Sequence, residues 1–170
     1  MSAPAEVRRL GAHDAAIYQA IRAEMLIDTP SSFGSSPEDD KFQDAAFAEG
    51  VLSHATNGVF GFFDADDECQ SVAGFIRPDS LKRRHVGEVW GVYTRPAGRR
   101  RGAAARVMAA VIEHARGLDG VEQIQLSVSS EAAAAEALYL GLGFEVWGRE
   151  PKALRLGDRR PDEIHMSLPL

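Results

Sequence analysis

The sequence predicts a mixed α/β domain of the α+β kind, one sheet with helices on both of its faces. Three observations predict it. Short alternating apolar stretches come early, and a strand-helix-strand-helix-strand succession follows, as the hydrophobic period switches between two and about 3.6 residues. The 170 residues suffice for one domain with a buried core, expected over 1–170, without internal repeat, linker or low-complexity segment. Composition is that of a globular protein, 45% hydrophobic and 26% charged, with no apolar run long enough to span a membrane.

Val7 to Leu10 reads as a short edge strand. An amphipathic helix follows from about Asp14, with Ile17, Ala20, Ile21 and Met25 on one face. It ends before Asp28-Thr29-Pro30, and the loop Ser31 to Ser36 succeeds it. Ser36-Pro37-Glu38-Asp39 has the composition of a helix start, with Ser as N-cap, Pro at the first position and acids in the first turn. That helix is expected to carry Phe42, Ala46, Phe47 and Val51. Val59 to Phe63 and Ser71 to Arg77 read as strands joined by the polar turn Asp64 to Glu68. The turn lacks the glycine and glutamate positions of a calcium loop, which makes it a solvated hairpin.

His85 to Arg95 is the longest strand, preceded by an exposed basic loop at Lys82 to Arg84. The helix after Gly102 places Val107, Met108, Val111, Ile112 and Ala115 on one side and stops at Gly117. Gln123 to Val128 alternates as a strand, Glu131 to Leu140 is an alanine-rich helix, and Gly143 through Trp147 is a strand. Glu163 to Leu168 closes the sheet.

The net charge of −6 argues against nucleic acid as the main partner, and local basic clusters on an acidic chain suggest specific anion sites instead. A single cysteine, Cys69, leaves no internal disulfide and fits a reducing cytoplasm; a buried strand thiol is favoured over a reactive one. Met1 to Leu10 lacks the apolar core of a secretion signal, so the cytoplasm is the expected location and no membrane the expected partner. His13, His54, His85, His114 and His165 are scattered without metal-ligand spacing, so they are set aside and no metal is expected.

The stretch from Val92 to Ala115 organises the rest. It begins as a strand, breaks at Pro96 and Gly98, and restarts as a helix near Gly102, with Arg99, Arg100 and Arg101 in the turn. The first N–H groups of a helix lack intrahelical partners, and the macrodipole adds partial positive charge there. Gly102, Ala103, Ala104 and Ala105 put no bulk over those donors. This is an anion seat, suited to a phosphate or pyrophosphate.

Pro96-Ala97-Gly98-Arg99-Arg100-Arg101-Gly102-Ala103-Ala104 resembles the Arg/Gln-x-x-Gly-x-Gly/Ala signature of the GCN5-related N-acetyltransferase (GNAT) superfamily. Downstream, Ala135, Leu138-Tyr139 and Gly143-Phe144 stand at the spacing of its second motif, and Leu126-Ser127-Val128 matches the strand before it. The loop after the first helix is also similar, so the likeness covers nearly the whole chain.

The resemblance implies a mostly antiparallel GNAT-like sheet with a splayed strand pair at the cofactor site, and acetyl-CoA as co-substrate. Its pyrophosphate would sit on the turn formed by Arg99, Arg100, Arg101, Gly102, Ala103, Ala104 and Ala105. Val92, Tyr93 and Thr94 would offer backbone groups to the pantetheine arm, which can pair like an added strand. Two departures are visible: Ala132 stands where the family has an asparagine, and Ala104 where it has a final glycine.

Acetyl transfer to an amine needs a free amine, a donor for the developing oxyanion and a proton for the departing thiolate. An ammonium titrates near ~10.4 and a glutamate near ~4.3, so direct transfer to an ordinary carboxylate is uphill by about 8 kcal/mol. A base must then be perturbed, act through water, or assist a minority of free amine. Glu88 is the candidate, on the long strand where similar proteins often carry a glutamate; pairing with a neighbouring cation is the other reading. Glu88, Trp90 and Val92 are expected on one face. Tyr139 is the candidate acid, since a phenol near ~10 and a thiol near ~8.5 differ by only about 2 kcal/mol. A backbone N–H near Val92 is the expected oxyanion donor.

The acceptor site is expected between the Phe33 loop, the loop from Lys82 to His85 and the segment from Lys152 to Pro161. Phe33 and Trp90 are the candidate walls, with core packing as the alternative for each and for Trp147. The acceptor class is a small-molecule or peptide amine, on a monomer or homodimer. Against direct acetyl transfer stand two other readings, a non-catalytic acyl-CoA-binding module and a nucleic-acid-binding module using the two basic clusters.

Overall fold

The structure, a computed structural model, describes residues 4–170. Seven strands form one sheet in the order β1-β2-β3-β4-β5-β7-β6. They are β1 Glu6–Arg9, β2 Gly58–Phe63, β3 Cys69–Ile76, β4 Val86–Thr94, β5 Gln123–Ser129, β6 Glu145–Glu150 and β7 Glu163–Pro169. Every neighbouring pair is antiparallel except β4 with β5. Four α-helices accompany them: α1 Ala15–Asp28, α2 Ala45–Leu52, α3 Ala103–Arg116 and α4 Ala133–Gly141. The expected mixed, mostly antiparallel sheet is therefore present.

Strand alternation sends side chains to two separate cores. On one face, Tyr18, Ile21, Met25 and Leu26 of α1, with Ala48 and Leu52 of α2, pack on Val59, Phe63, Val72 and Tyr93. On the other, Val107, Met108, Val111, Ile112 and Ala115 of α3 and Tyr139 of α4 pack on Phe60, Phe75, Ile124, Leu126 and Met166. The α3 stripe is the one its sequence period predicts. Each such side chain taken from water contributes about 1.5–3 kcal/mol, which is why the sheet is apolar on both faces beneath its helices.

Two details of the first face differ from expectation. The inward stripe of α1 is turned, so that Ile17 is 40% exposed while Tyr18 and Arg22 are buried. Helix α2 starts at its N-cap Asp44, whose carboxylate accepts the Phe47 N–H at 2.8 Å. Ser36 opens only a local turn, donating its N–H to Asp39 at 2.7 Å. Both sites offer a capping side chain, and the helix forms at Asp44, from which it buries Ala48 and Leu52.

β4 carries the feature that makes the site. Trp90 pairs with Gly74 and Tyr93 with Val72, so three steps on β4 oppose two on β3. The extra residue sits at Gly91, whose φ of +59° suits glycine. The bulge breaks the expected alternation: Trp90 faces the α1 core, whereas Val92 turns to the α3 core. β4 and β5 then pair only from Val86↔Gln123 to Glu88↔Gln125 and splay beyond that point.

Helices α1 and α2 cover β2 to β4, and the α1 core includes no residue of β5, β6 or β7. That uncovered half of the face carries Gln125, Ser127, Glu163 and His165. Among the described residues no helix is long and apolar enough to cross a membrane.

Candidate active site

The splay of β4 from β5 opens a cavity of about 760 Å³, reaching from the start of α3 to the Gly91 bulge. A second cleft of about 550 Å³ lies over the uncovered half of the sheet. Phe33, Trp90, Gly91, Leu126 and Ser127 line both, so the two spaces meet between the β4 bulge and β5.

At the α3 end, Gly102 adopts φ +74° and a β-carbon there would meet nothing within 4 Å. The first helical backbone bond runs from Arg106 N–H to Gly102 C=O at 3.1 Å, leaving the N–H groups of Ala103, Ala104 and Ala105 at the helix mouth. Arg99, Arg100, Gly102, Ala103, Ala104 and Ala105 line the cavity. These residues fit a pyrophosphate in an unobstructed helix mouth.

The three arginines differ. Arg99 is committed to the protein, donating to Thr94 C=O at 3.0 Å and pairing with Asp28. This guanidinium holds the Asp28 carboxyl below the usual carboxylate range. Arg100, at φ +60°, is exposed at the mouth. Arg101 lies outside the cavity lining. Its charge is felt instead by Asp64, whose carboxyl is held low first by the Glu68 N–H and to a lesser degree by Arg101.

Along β4, Val92, Tyr93 and Thr94 line the cavity, with no strand paired to them on the β5 side. The Tyr93 side chain is taken up by α1, its hydroxyl donating to Asp28 at 3.0 Å and Glu24 at 3.2 Å. Only the backbone of Tyr93 is available to a ligand. Across the splay stands Tyr139 of α4, buried and edge-on to Phe144 at 5.9 Å. Burial raises its phenol well above the ordinary value, so it keeps its proton at neutral pH. Ala132, at the start of α4, also lines the cavity and has no capping side chain.

In the cleft, Glu88 accepts from Arg83 Nη2 at 3.0 Å with its side chain 44% exposed. Glu88 is thus one half of a solvated ion pair, as the second of its sequence readings had it, and it also lines the cleft. Trp90 lies stacked on Phe42 at 5.5 Å, so it is at once core and wall. Phe33 lines both spaces, and Trp147 joins it at the cleft. Lys82 to His85 reaches the cleft only through the Arg83–Glu88 pair. The segment from Lys152 to Pro161 instead sends Arg159 to the larger cavity, paired with Glu131 at 2.6 Å.

Sequence reasoning passed over His165. Its Nδ1 lies 2.7 Å from Ser127 Oγ, and its Nε2 lies 3.3 Å from Glu150 Oε2. Trp147 stacks on the ring at 5.2 Å. The signal was strand alternation: Ser127 and His165 are register partners on β5 and β7, and Gly148 pairs with His165 from β6. Spacing along the chain cannot reveal a pair 38 residues apart. Cys69 remains structural, buried and with its thiol pushed up to about 11 by desolvation.

A search of curated proteins by sequence returned no match. Solved structures match closely in shape. An acetyltransferase of the GNAT family from Streptococcus pneumoniae superposes with a TM-score of 0.86 at 16% identity, over 98% of this chain and 99% of that one. A phosphinothricin acetyltransferase from Sinorhizobium meliloti, in complex with AcCoA, gives 0.85 at 18%, over 99% and 89%. A ribosomal-protein-alanine N-acetyltransferase from Brucella melitensis gives 0.83 at 19%, over 97% and 99%. At these identities the likeness is one of fold. The family model for the acetyltransferase (GNAT) family matches residues 18–144, from the buried face of α1 to the end of the second motif, and the chain belongs to that family.

Proposed function

We propose that the protein transfers an acetyl group from acetyl-CoA to a primary amine by direct attack in a ternary complex. The observation that carries this reading is the meeting of the two spaces between the Gly91 bulge and Ser127. One arm ends on a helix mouth suited to a pyrophosphate, and the other ends among carboxylates and aromatic rings suited to an alkylammonium. Proximity of this kind converts a bimolecular reaction into one within a complex.

Acetyl-CoA, when bound, supplies the activated thioester. The chain supplies the rest. Ala103, Ala104 and Ala105 offer backbone N–H groups and the helix dipole to the phosphates, with Arg100 adding charge. Val92, Tyr93 and Thr94 offer an unpaired strand edge to the amide-bearing arm. Backbone N–H groups beyond the bulge stabilise charge developing at the carbonyl oxygen. Tyr139 donates a hydrogen bond to the departing sulfur. Glu88 receives the acceptor's ammonium at the cleft, aided by Phe33 and Trp90. A single buried cysteine fits operation in a reducing cytoplasm.

The test is a thermal shift with acetyl-CoA, CoA and longer acyl-CoAs, followed by CoA release over a panel of free amino acids, aryl-alkylamines and lysine or N-terminal peptides. Stabilisation by acetyl-CoA with release for one amine class supports the reading. Stabilisation without release from any amine makes the chain an acyl-CoA-binding module, and no stabilisation removes the acetyl-CoA site.

A further inference from the structure

The acceptor's nitrogen must lose a proton, and Glu88 is poorly placed to take it alone, being exposed and engaged by Arg83. Ser127 lies at the junction of the two spaces, with His165 beside it in the cleft. Resting on the acetyltransferase reading, we propose that Ser127 takes the proton from the acceptor ammonium and passes its own to His165, which Glu150 holds in the required tautomer.

The hydrogen-bond inventory fixes the direction. An ionised carboxylate only accepts, so the His165 nitrogen facing Glu150 Oε2 at 3.3 Å, Nε2, carries the hydrogen of the neutral ring. Nδ1 then holds the lone pair, and it accepts the Ser127 O–H at 2.7 Å. With its hydrogen so directed, Ser127 Oγ keeps its own lone pairs free to accept from an incoming N–H. Ser127 is solvent-exposed and lines both the cleft and the larger cavity, whereas His165 is only 23% exposed beneath it. The hydroxyl touches the acceptor, and the imidazole acts through it.

The step balances. One N–H bond of the ammonium breaks as an O–H bond forms at Ser127. The original O–H proton moves to Nδ1, and the nitrogen is left with the electron pair that attacks. The imidazolium is held between carboxylates on two strands, since Glu150 of β6 and Glu163 of β7 bring an oxygen each within 4.8 Å of it and of one another. Glu88 of β4 is the remaining carboxylate lining the cleft. Glu150 is 56% exposed, so the proton leaves to water from the outer end of the row. Trp147, stacked on the ring at 5.2 Å, fixes its plane. Imidazole is suited to such work because its ordinary titration lies between pH 5 and 8, unlike that of a carboxylate.

Two measurements on the full-length protein test this. Nitrogen-15 NMR of the histidine rings should show the neutral His165 ring as the Nε2–H tautomer, and Glu150→Gln should weaken that preference; an Nδ1–H ring in the wild type overturns the relay. The second is the pH profile of acetyl transfer to the fastest amine of the panel. Ser127→Ala and His165→Gln should each lower kcat/KM about a hundredfold near pH 7, with the deficit shrinking as pH rises and free amine becomes abundant. Ser127→Thr, which keeps the hydroxyl, should recover most of the loss, and the acetyl-CoA thermal shift should persist in all three. Variants that keep the wild-type profile overturn the relay while leaving the acetyltransferase reading intact. A wild-type chain that acetylates no amine overturns both.

Discussion

The Trp90 indole lies directly on Gly74 of the neighbouring strand, so that a β-carbon at Gly74 would stand 2.3 Å from Trp90 Cε2. No side chain fits there unless the ring moves. The ring is held from its other side by Phe42, stacked at 5.5 Å, so the shift propagates into the α1 core. Gly74→Ala should therefore cost about 1–3 kcal/mol through overpacking and lower Tm by about 2–4 °C for each kcal/mol. Because Trp90 walls the cleft, KM for the amine should rise, with a smaller change in the acetyl-CoA thermal shift. Thermal melts and initial rates on the one variant check both parts; an unchanged Tm would mean that the indole relocates freely.

How much of this was legible beforehand depends on the reach of each signal. The α3 stripe and the strands β2 to β5 and β7 follow local periodicity, and the structure keeps them nearly to the residue. Local signals misled where two competed within a few residues, as with the caps Ser36 and Asp44, because only tertiary burial of Ala48 and Leu52 decides between them. Alternation failed at Gly91, where one glycine permits a bulge that turns Val92 to the opposite core. The anion seat was visible because it is contiguous in sequence. The Ser127–His165–Glu150 row was not, since it is assembled by strand register across β5, β7 and β6.

The arginine turn makes a sharp distinction. Arg99 is bound to Asp28 and to Thr94 C=O, whereas Arg100 is exposed at the mouth of α3. Arg100→Ala should weaken acetyl-CoA binding by about two- to fivefold, an exposed charge contact of roughly 0.5–1 kcal/mol, and the difference should fade with added salt. Arg99→Ala should act mainly on stability, freeing Asp28 beside the Tyr93 hydroxyl. Titration calorimetry at two ionic strengths, with thermal melts of both variants, separates these outcomes. Equal loss of affinity in the two would refute the division of roles.

Acid stability should depend on Asp14. This buried carboxylate accepts from Arg8 Nη1 at 2.8 Å and Nη2 at 2.9 Å, and from the Gly11 N–H at 2.8 Å. The Arg8 hydrogen bonds, ahead of the Gly11 bond, hold it below the ordinary carboxylate range against the opposing effect of burial. In the unfolded chain an aspartate binds its proton near ~3.9. The folded value being lower, the contribution is present in full above that pH and is lost as pH falls toward the folded value. Asp14→Asn should cost about 2 kcal/mol at neutral pH, a figure kept modest because Arg8 is partly solvated. It should also flatten the decline of stability below about pH 4. Urea titrations of both proteins at pH 7, 4 and 3 measure this; parallel declines would show that other carboxylates govern the acid limb.

Tyr139 offers the clearest separation of packing from chemistry. Its ring sits edge-on to Phe144 in the α3 core, and its burial raises the phenol far above neutral pH. Tyr139→Phe retains the ring, so Tm should move by no more than about 2 °C. On the proposed mechanism, what is lost is one hydrogen bond to a sulfur that gains negative charge as the thioester breaks. A hydrogen bond to a charged group is worth about 1.5–3 kcal/mol, which corresponds to a fall in kcat of roughly ten- to a hundredfold. The sign of the pH effect follows from the raised phenol: it stays protonated through pH 9, so the fractional loss should be the same at pH 7 and pH 9. A deficit that closed at high pH would mean that Tyr139 ionises in the working range, and an unchanged kcat would remove it from the thiolate altogether.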